Sequence, residues 1–246
     1  MLDKNHFNIK NLQKNQSIKV IIPAYNEGQS IAKVINDLPK SVDEVIVTDN
    51  NSTDNTAEQA KSAGAALCFE PRMGYGYACL KAIDYVTSQA KKPDIIVFID
   101  GDYSDYPDEL MTVVKPIIQD NYDFVIGARV KKLREKGAMT FPQRFGNALA
   151  TFLMKIIYGA NFTDLGPFRA IKYDKLMALN MQDKTYGWTV EMQLKALNHK
   201  LKYTEIPVKY RNRIGKSKVS GTLKGAVMAG VKILSWVFKY AFTRDF

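Results

Sequence analysis

The sequence is poor in the residues that build disulfide frameworks and transition-metal sites. Its 246 residues include two cysteines, Cys68 and Cys79, and two histidines, His6 and His199. The cysteines are too few for a disulfide framework and lack the paired spacing of a metal site, so a reducing, cytoplasmic compartment is expected. We assign no chemistry to the histidines, because one lies in a polar terminus and the other at a predicted helix end.

Long apolar runs are also lacking. No segment reaches the roughly 18 uninterrupted apolar residues that predict a transmembrane helix, and the nearest, residues 225–242, is interrupted by Lys232 and Lys239. Residues 1–17 are polar and lack the apolar stretch of a signal peptide, so we expect a flexible N-terminus. Any contact with a membrane is therefore expected to be peripheral, at its cytoplasmic face.

The charge balance is basic. Thirty-five Lys and Arg against 25 Asp and Glu give a net charge of +10, which suits an anionic partner such as a nucleic acid, an acidic lipid or a phosphorylated substrate. Charge alone does not choose among them. Hydrophobic residues make up 46% of the chain, and this content with this length predicts one α/β domain with a C-terminal appendage.

Short β-branched runs alternate with helical patterns through the first half of the chain. This alternation predicts a mainly parallel sheet with helices on both faces. Strands are predicted at residues 18–22, 44–48, 65–69, 94–99, 123–127 and 203–210. Helices are predicted at residues 30–38, 55–63, 77–90, 145–158 and 190–197.

Acidic side chains cluster in the loops that follow the predicted strands. Ligands of open parallel sheets bind beyond the carboxyl ends of the strands, so the loops after Ile22, Thr48 and Ile99 should meet at one crevice. Asp100 and Asp102 flank Gly101 after the most apolar strand, an arrangement that lets a divalent ion and a diphosphate approach the backbone. Taken alone, so short a motif is more typical of a solvated turn, and the strand before it and the continuation after it favour a site.

Six motifs occur in a fixed order. They are IPAYNE at 22–27, VTDNNSTDNT at 47–56, DGDYSDYP at 100–107, GAR at 127–129, DLGPFR at 164–169 and RIGKSK at 213–218. With them the chain resembles the family-two inverting glycosyltransferases of the GT-A fold, within the dolichol-phosphate mannose synthase-like, polyprenyl-phosphate branch. The resemblance implies a GT-A, Rossmann-like domain over residues 18–221.

The resemblance also implies a nucleotide-sugar site with Mg²⁺ or Mn²⁺ as cofactor. Asp102 would bind the metal directly and act in catalysis, while Asp100 would bind the ribose or complete the metal shell. The usual Gln two residues after the second Asp is replaced by Ser104, a weaker ligand. The other residues implied to bind the donor are Pro23, Ala24, Tyr25, Glu27, Asp49, Asn51, Arg72, Gly74 and Gly101. For Arg72 and Gly74, a glycine-softened turn with a surface arginine is the alternative.

Basic residues offer a cationic side to this site, because guanidinium forks match phosphate oxygens and stay charged. Arg129 follows a predicted strand, and Arg213 lies on a glycine-containing loop that could close over a diphosphate, so both are predicted to be catalytic. The other candidate substrate-binding residues are Arg144, Arg169, Arg211, Ser217 and Lys218. Arg144 and Arg211 are equally typical of a solvated surface.

Glu191 occupies the place where many family-two enzymes carry a catalytic base. A hydroxyl acceptor needs such a base because its pKa lies far above neutral, whereas an ionised lipid phosphate does not. A carboxylate that stabilises the start of a helix is the alternative. The neighbouring Tyr186 and Trp188 are expected against a sugar ring or in the core.

The C-terminal residues 222–246 have an apolar period of three to four. The period, together with Trp236 and Tyr240 near one end, favours an amphipathic helix that lies in a membrane interface, with a helix packed in the core as the alternative. The helix at 145–158 offers a second apolar face that could receive a lipid chain. Basic residues around it would attract anionic headgroups.

Three functions fit these features. The leading one is inverting transfer of a hexosyl group from a nucleoside diphosphate sugar, such as UDP-glucose or GDP-mannose, to a polyprenyl phosphate at the membrane surface. The second keeps this donor but uses a hydroxyl acceptor, with Glu191 as base. The third is a non-enzymatic nucleotide- or nucleic-acid-binding module, which is disfavoured because acids at the strand ends would repel a phosphate backbone. The oligomeric state is left open.

Overall fold

The computed structural model describes residues 16–215 and 223–242, and the strands of this part form one seven-stranded sheet. They are β1 Ile18–Ala24, β2 Glu44–Asp49, β3 Ala66–Phe69, β4 Ile95–Phe98, β5 Phe124–Ala128, β6 Arg169–Lys172 and β7 Tyr203–Pro207. Their order across the sheet is β3-β2-β1-β4-β6-β5-β7. Neighbours pair in parallel except β6, which runs antiparallel to β4 and β5. The predicted mainly parallel sheet is confirmed.

Helices cover both faces of this sheet. They are α1 Ile31–Asn36, α2 Thr56–Ser62, α3 Tyr75–Ser88, α4 Leu110–Asp120, α5 Phe141–Tyr158, α6 Tyr173–Leu179, α7 Trp188–Asn198 and α8 Leu223–Phe242. Successive residues of a strand point to opposite faces. Ile21 therefore packs in the layer beneath α3, α5 and α7, whereas Val20 and Ile22 pack in the layer beneath α1 and α4.

The carboxyl ends of β1, β2 and β4 meet at one edge of the sheet because these strands are parallel neighbours. The backbone N–H of Asn50 donates to the carbonyl of Ala24 (2.8 Å), and that of Ile99 donates to the carbonyl of Ile21 (3.2 Å). The acidic loops that follow the three strands are thereby brought together, as the alternation of strands and helices predicts.

Helix α5 begins at Phe141 rather than at Phe145, where its apolar period becomes visible. Thr140 and Gln143 form a capping box: the Thr140 hydroxyl accepts from the Gln143 N–H (3.4 Å), and the Gln143 side chain accepts from the Thr140 N–H (2.8 Å). The box satisfies N–H groups that have no partner within the first turn. The extra turn brings Gln143 to the same edge of the sheet as the acidic loops.

Helix α8 confirms the predicted C-terminal helix and packs on α5 and α7. Trp236 and Val237 are buried, and the Tyr158 hydroxyl donates to the Val237 carbonyl (2.5 Å). Met228, Val231 and Phe238 are exposed. None of the helices described in residues 16–215 and 223–242 is both long and apolar enough to pass through a bilayer. Two domain boundaries stay predictions: residues 1–15 and the residues around position 221 lie outside the described part.

Candidate functional site

A cavity of about 480 Å³ opens at the carboxyl ends of β1, β2 and β4. Its walls come from the loops after these strands, from the beginning of α3, from α5 and α8, and from the loop before α7. Ten of the residues predicted for the site line it. They are Pro23, Ala24, Tyr25, Glu27, Gly74, Asp100, Gly101, Asp102, Arg129 and Arg213.

Asp100 and Asp102 form the acidic floor of this cavity. Asp102 is buried, and its Oδ1 accepts from the backbone N–H (2.9 Å) and the hydroxyl (2.5 Å) of Ser104. Asp100 Oδ1 accepts from the hydroxyl of Tyr75 at the start of α3 (3.0 Å). Ser104 therefore orients the carboxylate of Asp102, a function that the sequence did not predict for it.

The two carboxylates are close enough to affect each other's ionisation. Burial, followed by repulsion from Asp102, raises the pKa of Asp100 to about 7, against the opposing influence of Arg213 and of the Tyr75 hydroxyl. A carboxyl with this pKa is partly protonated at neutral pH. A cation that approached it would favour the ionised form.

Arg213 supplies a cation at this floor. Its Nη2 lies 2.8 Å from Asp102 Oδ2 and 3.2 Å from Glu27 Oε1. Both carboxylates are largely buried, so their attraction to the guanidinium is weakly screened by water. The free edge of Asp102 thus accepts a cation in this structure, here a guanidinium.

Asp105 is a further buried acid beneath the floor. Its side chain is 1% exposed, and neither of its carboxylate oxygens has a hydrogen-bond partner within the described part of the chain. Burial, with repulsion from Asp100 and Asp102, raises its pKa well above the usual range. An unpartnered buried carboxylate costs free energy when it ionises.

Arg129 lines the cavity but is already paired. Its Nε and Nη2 lie 2.8 Å and 2.7 Å from the two carboxylate oxygens of Asp164. Its guanidinium carbon also lies over the ring of Tyr210, 5.1 Å from the ring centroid. Burial lowers the pKa of Arg129, but the Asp164 carboxylate raises it more, so the guanidinium stays charged. The pair brings little net charge to the cavity.

Within residues 16–215 and 223–242, no cluster of three or more His, Cys, Asp and Glu side chains is arranged to hold a metal ion. The acids at the floor are therefore fewer than a metal site built from protein side chains alone requires. Any divalent ion there would need further ligands from a bound molecule.

Comparison with known proteins decides the family. Residues 19–179 match the family model described as Glycosyl transferase family 2. This chain belongs to that family.

Known proteins similar in sequence match this chain over most of its length. An uncharacterized glycosyltransferase of Mycobacterium tuberculosis is 30% identical over 216 residues, which cover 87% of this chain and 94% of the relative. A dolichyl-phosphate hexose transferase of Haloferax volcanii is 30% identical over 218 residues, 86% of this chain and 90% of the relative. The chain is therefore similar to whole relatives and not to one part of them.

Solved structures agree on the fold. Glucosyl-3-phosphoglycerate synthase from Mycobacterium tuberculosis, in complex with Mn²⁺, UDP-glucose and phosphoglyceric acid, superimposes with a TM-score of 0.76. The match covers 100% of this chain and 86% of that one at 20% identity. The predicted GT-A fold of this family-2 chain is confirmed.

Two of the predicted phosphate-binding arginines instead hold loops of the family-2 domain in place. Arg169 is fully buried, and its guanidinium donates to the carbonyls of Gly166 and Thr189 (3.0 Å each). Burial lowers its pKa to about 10. Arg211 donates to the carbonyls of Tyr103 (2.6 Å) and Asp105 (3.1 Å). In this structure these donors bond the backbone, and phosphate binding by either arginine stays a prediction.

Two other predicted arginines lie outside the cavity. Arg72 forms an ion pair with Glu70 (2.7 Å) and stacks on the ring of Tyr77 (4.5 Å), and its side chain is 65% exposed. Arg144 is exposed on α5 and is absent from the cavity wall. Both positions fit the alternative of a surface arginine, and substrate binding by either residue stays a prediction.

Glu191 does not face the cavity either. Its side chain is fully buried, and its oxygens accept from the backbone N–H groups of Gln182 (2.8 Å) and Asp183 (2.7 Å). It also pairs with Lys195 one turn along α7 (2.9 Å). In this structure the carboxylate holds the loop before α7, and its role as a general base stays a prediction.

The loop after β2 presents Asn50 to the cavity rather than Asp49 or Asn51. Asn50 Oδ1 accepts from the Gly74 N–H (2.8 Å), and its amide donates to the carbonyl of Arg72 (2.7 Å). Asp49 is buried, and Asn51 is exposed in a left-handed turn with a φ of 60°. Donor binding by Asp49 and Asn51 stays a prediction. Ser217 and Lys218 lie outside the described residues.

The sequence missed much of the far wall of the cavity. This wall combines polar side chains of α5 with residues of the loop before α7 and of α8. The members that the sequence did not predict include Gln143, Asn147, Thr185 and Ile233, whereas Tyr186 and Trp188 of the same wall were expected against a sugar ring or in the core. Gln143 could have been found from the sequence, because Thr140 and Gln143 have the spacing of a capping box at the start of a helix.

Proposed function

We propose that this family-2 chain transfers a hexosyl group, with inversion, from a nucleoside diphosphate sugar to a polyprenyl phosphate at the cytoplasmic face of a membrane. The observation that carries the proposal is the acidic floor of Asp100 and Asp102 with Arg213 bound at its edge. Support for the acceptor comes from relatives named for transfer to dolichyl phosphate, among them a 30% identical N-acetylglucosaminyltransferase of Methanococcus voltae.

The floor residues fit a divalent cation. Asp102 Oδ2 is held 2.8 Å from the guanidinium of Arg213, so this edge of the carboxylate already accepts positive charge. Asp100 and Asp102 would hold Mg²⁺ or Mn²⁺, with oxygen atoms of the donor diphosphate as further ligands. When bound, the ion would offset the charge that develops on the departing diphosphate.

Arg213 has two successive partners in this proposal. Without donor it forms ion pairs with Asp102 and Glu27. With donor, its fork turns to the diphosphate, because guanidinium groups pair with phosphate oxygens in two parallel hydrogen bonds. Pro23, Ala24, Tyr25, Glu27 and Gly74 would line the nucleotide.

The transfer needs no protein base when the acceptor is a phosphate. An ionised phosphate oxygen of the lipid attacks the anomeric carbon, the bond from that carbon to the diphosphate oxygen breaks, and the nucleoside diphosphate leaves with the electron pair. The buried position of Glu191 supports this acceptor, since a hydroxyl acceptor would require a proton acceptor in the cavity. The hydroxyl-acceptor alternative would need Glu191 to reach the cavity, or another carboxylate that lines it, such as Asp100, as the base.

An apolar surface beside the cavity supports work at a membrane. We call it the α5–α8 face. Its exposed residues are Phe141, Phe145, Phe152 and Ile156 of α5 with Met228, Val231 and Phe238 of α8. The two helices pack on each other, so these side chains belong to neighbouring elements. An exposed apolar patch of this kind is typical of a lipid or protein contact.

The charges around the α5–α8 face support an anionic bilayer as its partner. Arg144 and Lys155 of α5 and Lys239 of α8 are exposed, whereas Lys232 of α8 is partly buried and lies 3.3 Å from Asp183. Basic side chains that flank an apolar helical face are attracted to acidic headgroups while the apolar residues enter the acyl boundary. A polyprenyl phosphate in such a bilayer would present its phosphate beside the cavity.

Transfer assays with lipid and soluble acceptors test the proposal. Radiolabelled UDP-glucose, UDP-N-acetylglucosamine and GDP-mannose would each be incubated with the protein, Mn²⁺ and one acceptor: dolichyl phosphate, undecaprenyl phosphate or phosphoglyceric acid. Label extracted into the organic phase from one of these donors is the expected result. Label found on phosphoglyceric acid and not on lipid would favour a hydroxyl acceptor, and no consumption of any donor would contradict the proposal.

A further inference from the structure

Residues 182–187 form the wall of the cavity between α3 and α8, and we call them the 182–187 loop. Thr185 and Tyr186 line the cavity together with Gly230 and Ile233 of α8. The loop contains no helix or strand. Its shape therefore depends on hydrogen bonds from the elements around it.

Asp183 joins this loop to α8. Its side chain is fully buried, and Oδ1 accepts from the N–H groups of Thr185 (2.8 Å) and Gly187 (3.0 Å). Oδ2 accepts from the indole N–H of Trp236 (2.6 Å) and lies 3.3 Å from Lys232 Nζ. One carboxylate thus fixes the turn of the loop with one oxygen and binds the helix with the other.

The helix and the loop fit tightly at this point. A β-carbon added at Gly187 would lie 2.4 Å from the indole ring of Trp236. On its other side the loop bonds the start of α3: the N–H of Tyr77 donates to the carbonyl of Lys184 (3.1 Å). Tyr75, at the same end of α3, donates to Asp100. Contacts therefore run without a break from α8 through the loop to the acidic floor.

Helix α8 also has an outward face. Met228, Val231 and Phe238 are exposed, whereas Trp236 of the same helix is buried against the loop. The helix is thus both part of the surface assigned above to the bilayer and part of the cavity wall. A displacement of α8 must move the loop, because protein interiors are close-packed and leave no empty space to accommodate the displaced side chains.

We propose that α8 couples membrane contact to the shape of the donor site, with Asp183 and Trp236 as the positioning residues. The inference rests on the proposed function for its lipid and its donor. Lipid that binds the outward face of α8 stabilises the helix position in which Asp183 accepts hydrogen bonds from Thr185 and Gly187. Such coupling is reciprocal: the bilayer tightens donor binding by the factor by which the donor tightens bilayer binding.

Nucleotide titrations with and without vesicles test the coupling. UDP and GDP, each with Mn²⁺, would be titrated into the full chain alone and with phosphatidylglycerol–phosphatidylcholine vesicles. The wild type is expected to bind one nucleotide about 5-fold or more tightly with vesicles. Trp236→Phe keeps an aromatic ring but removes the N–H that bonds Asp183, and its vesicle effect should fall below about two-fold. The control is Tyr240→Phe, because this ring stacks on Trp236 (5.5 Å) and the substitution leaves the indole N–H intact.

Hydrogen–deuterium exchange supplies a readout that does not depend on the nucleotide. Vesicles should slow exchange of the amides of residues 182–187 in the wild type and in Tyr240→Phe but not in Trp236→Phe. Equal vesicle effects in the wild type and Trp236→Phe, or no vesicle effect on binding and exchange, would overturn the inference. Absence of UDP and GDP binding by the wild type would instead contradict the proposed function, and the exchange experiment would then decide the coupling by itself.

Discussion

Arg213 is the residue on which the charge balance of the cavity depends most. Arg213→Met should raise the affinity of the donor-free protein for Mn²⁺ about 5-fold or more, because a metal ion would no longer compete with a guanidinium 2.8 Å from Asp102. The same variant should bind UDP or GDP more weakly, since the diphosphate loses a partner. Electron paramagnetic resonance of free Mn²⁺ measures the first effect.

Arg144→Met is the matched control for this substitution, because Arg144 is exposed on α5 and is absent from the cavity wall. Its Mn²⁺ affinity should equal that of the wild type. An Arg213→Met protein with unchanged Mn²⁺ affinity would show that the guanidinium does not compete for Asp102.

Asp105 gives a prediction about pH. Its pKa in the fold is raised above the ordinary 3.8, so its contribution to stability is complete below pH 3.8 and is lost as the pH rises through the native pKa. Asp105→Asn removes the buried charge and should raise Tm at pH 8, by about 2–4 °C for each kcal/mol gained. The gain should be smaller at pH 5.

Thermal unfolding in EDTA checks this prediction, because bound metal would offset the charge. Asp108→Asn serves as control, since Asp108 is exposed three positions along the same segment. A gain for Asp105→Asn that does not change with pH, or a loss at pH 8, would contradict the assignment of a costly buried carboxylate.

The sequence predicted some residues of the site and not others for a physical reason. Asp102 and Gly101 follow a strand directly, so their position is set by local structure and could be read from the motif. Arg211 bonds the carbonyl of Tyr103, 108 residues away in the sequence. A partner of that kind depends on tertiary contacts, so a phosphate ligand and a loop-holding arginine have the same signature in the sequence.

Strands and helices also differ in whether local sequence or tertiary contacts determine them. Strands β1, β2 and β4 were predicted because they are apolar runs that end at polar loops. Strand β6 was not predicted, since it has four residues with Arg169 and Lys172 at its ends and forms between β4 and β5. Helix α4 was missed too, and it contains Pro116, a residue that disfavours helix interiors.

The contact between α3 and the 182–187 loop yields a prediction about glycine. A β-carbon at Gly76 would lie 2.0 Å from the carbonyl oxygen of Asp183, a backbone atom with little freedom to move. Gly76→Ala should therefore lower the free energy of unfolding by about 1–3 kcal/mol. It should also weaken nucleotide binding, because α3 carries Tyr75, the partner of Asp100.

Gly146→Ala is the comparison for this substitution. Gly146 lies within α5, and a β-carbon there meets no atom within 4 Å among those described. Because alanine favours helix over glycine by about 1 kcal/mol, this variant should be slightly more stable than the wild type. Equal thermal stability of the two alanine variants would contradict the close approach at Gly76.

The whole molecule combines a net charge of +10 with the α5–α8 face. Binding to phosphatidylglycerol vesicles should therefore weaken as salt rises from about 0.1 M to about 1 M, where the Debye length falls from about 10 Å to about 3 Å. Phe145→Ser should reduce binding about ten-fold or more, since one buried aromatic side chain contributes about 1.5–3 kcal/mol. Vesicle co-sedimentation measures both.

Phe69→Ser is the control for the bilayer prediction. Phe69 is 55% exposed, similar to the 61% of Phe145, but lies on the edge strand β3. Its substitution should leave vesicle binding unchanged. Equal losses for the two variants would argue against a membrane contact confined to α5 and α8.

The central claim is that Asp102 binds the metal ion that holds the nucleotide-sugar donor during glycosyl transfer. The most direct measurement compares Asp102→Asn with the wild type and with Asp108→Asn in sugar transfer to polyprenyl phosphate, over a titration of Mn²⁺. The account predicts a loss of about 100-fold or more in kcat for Asp102→Asn at saturating Mn²⁺, because charge stabilisation of the leaving group is lost. Wild-type rates and Mn²⁺ dependence in Asp102→Asn would contradict it.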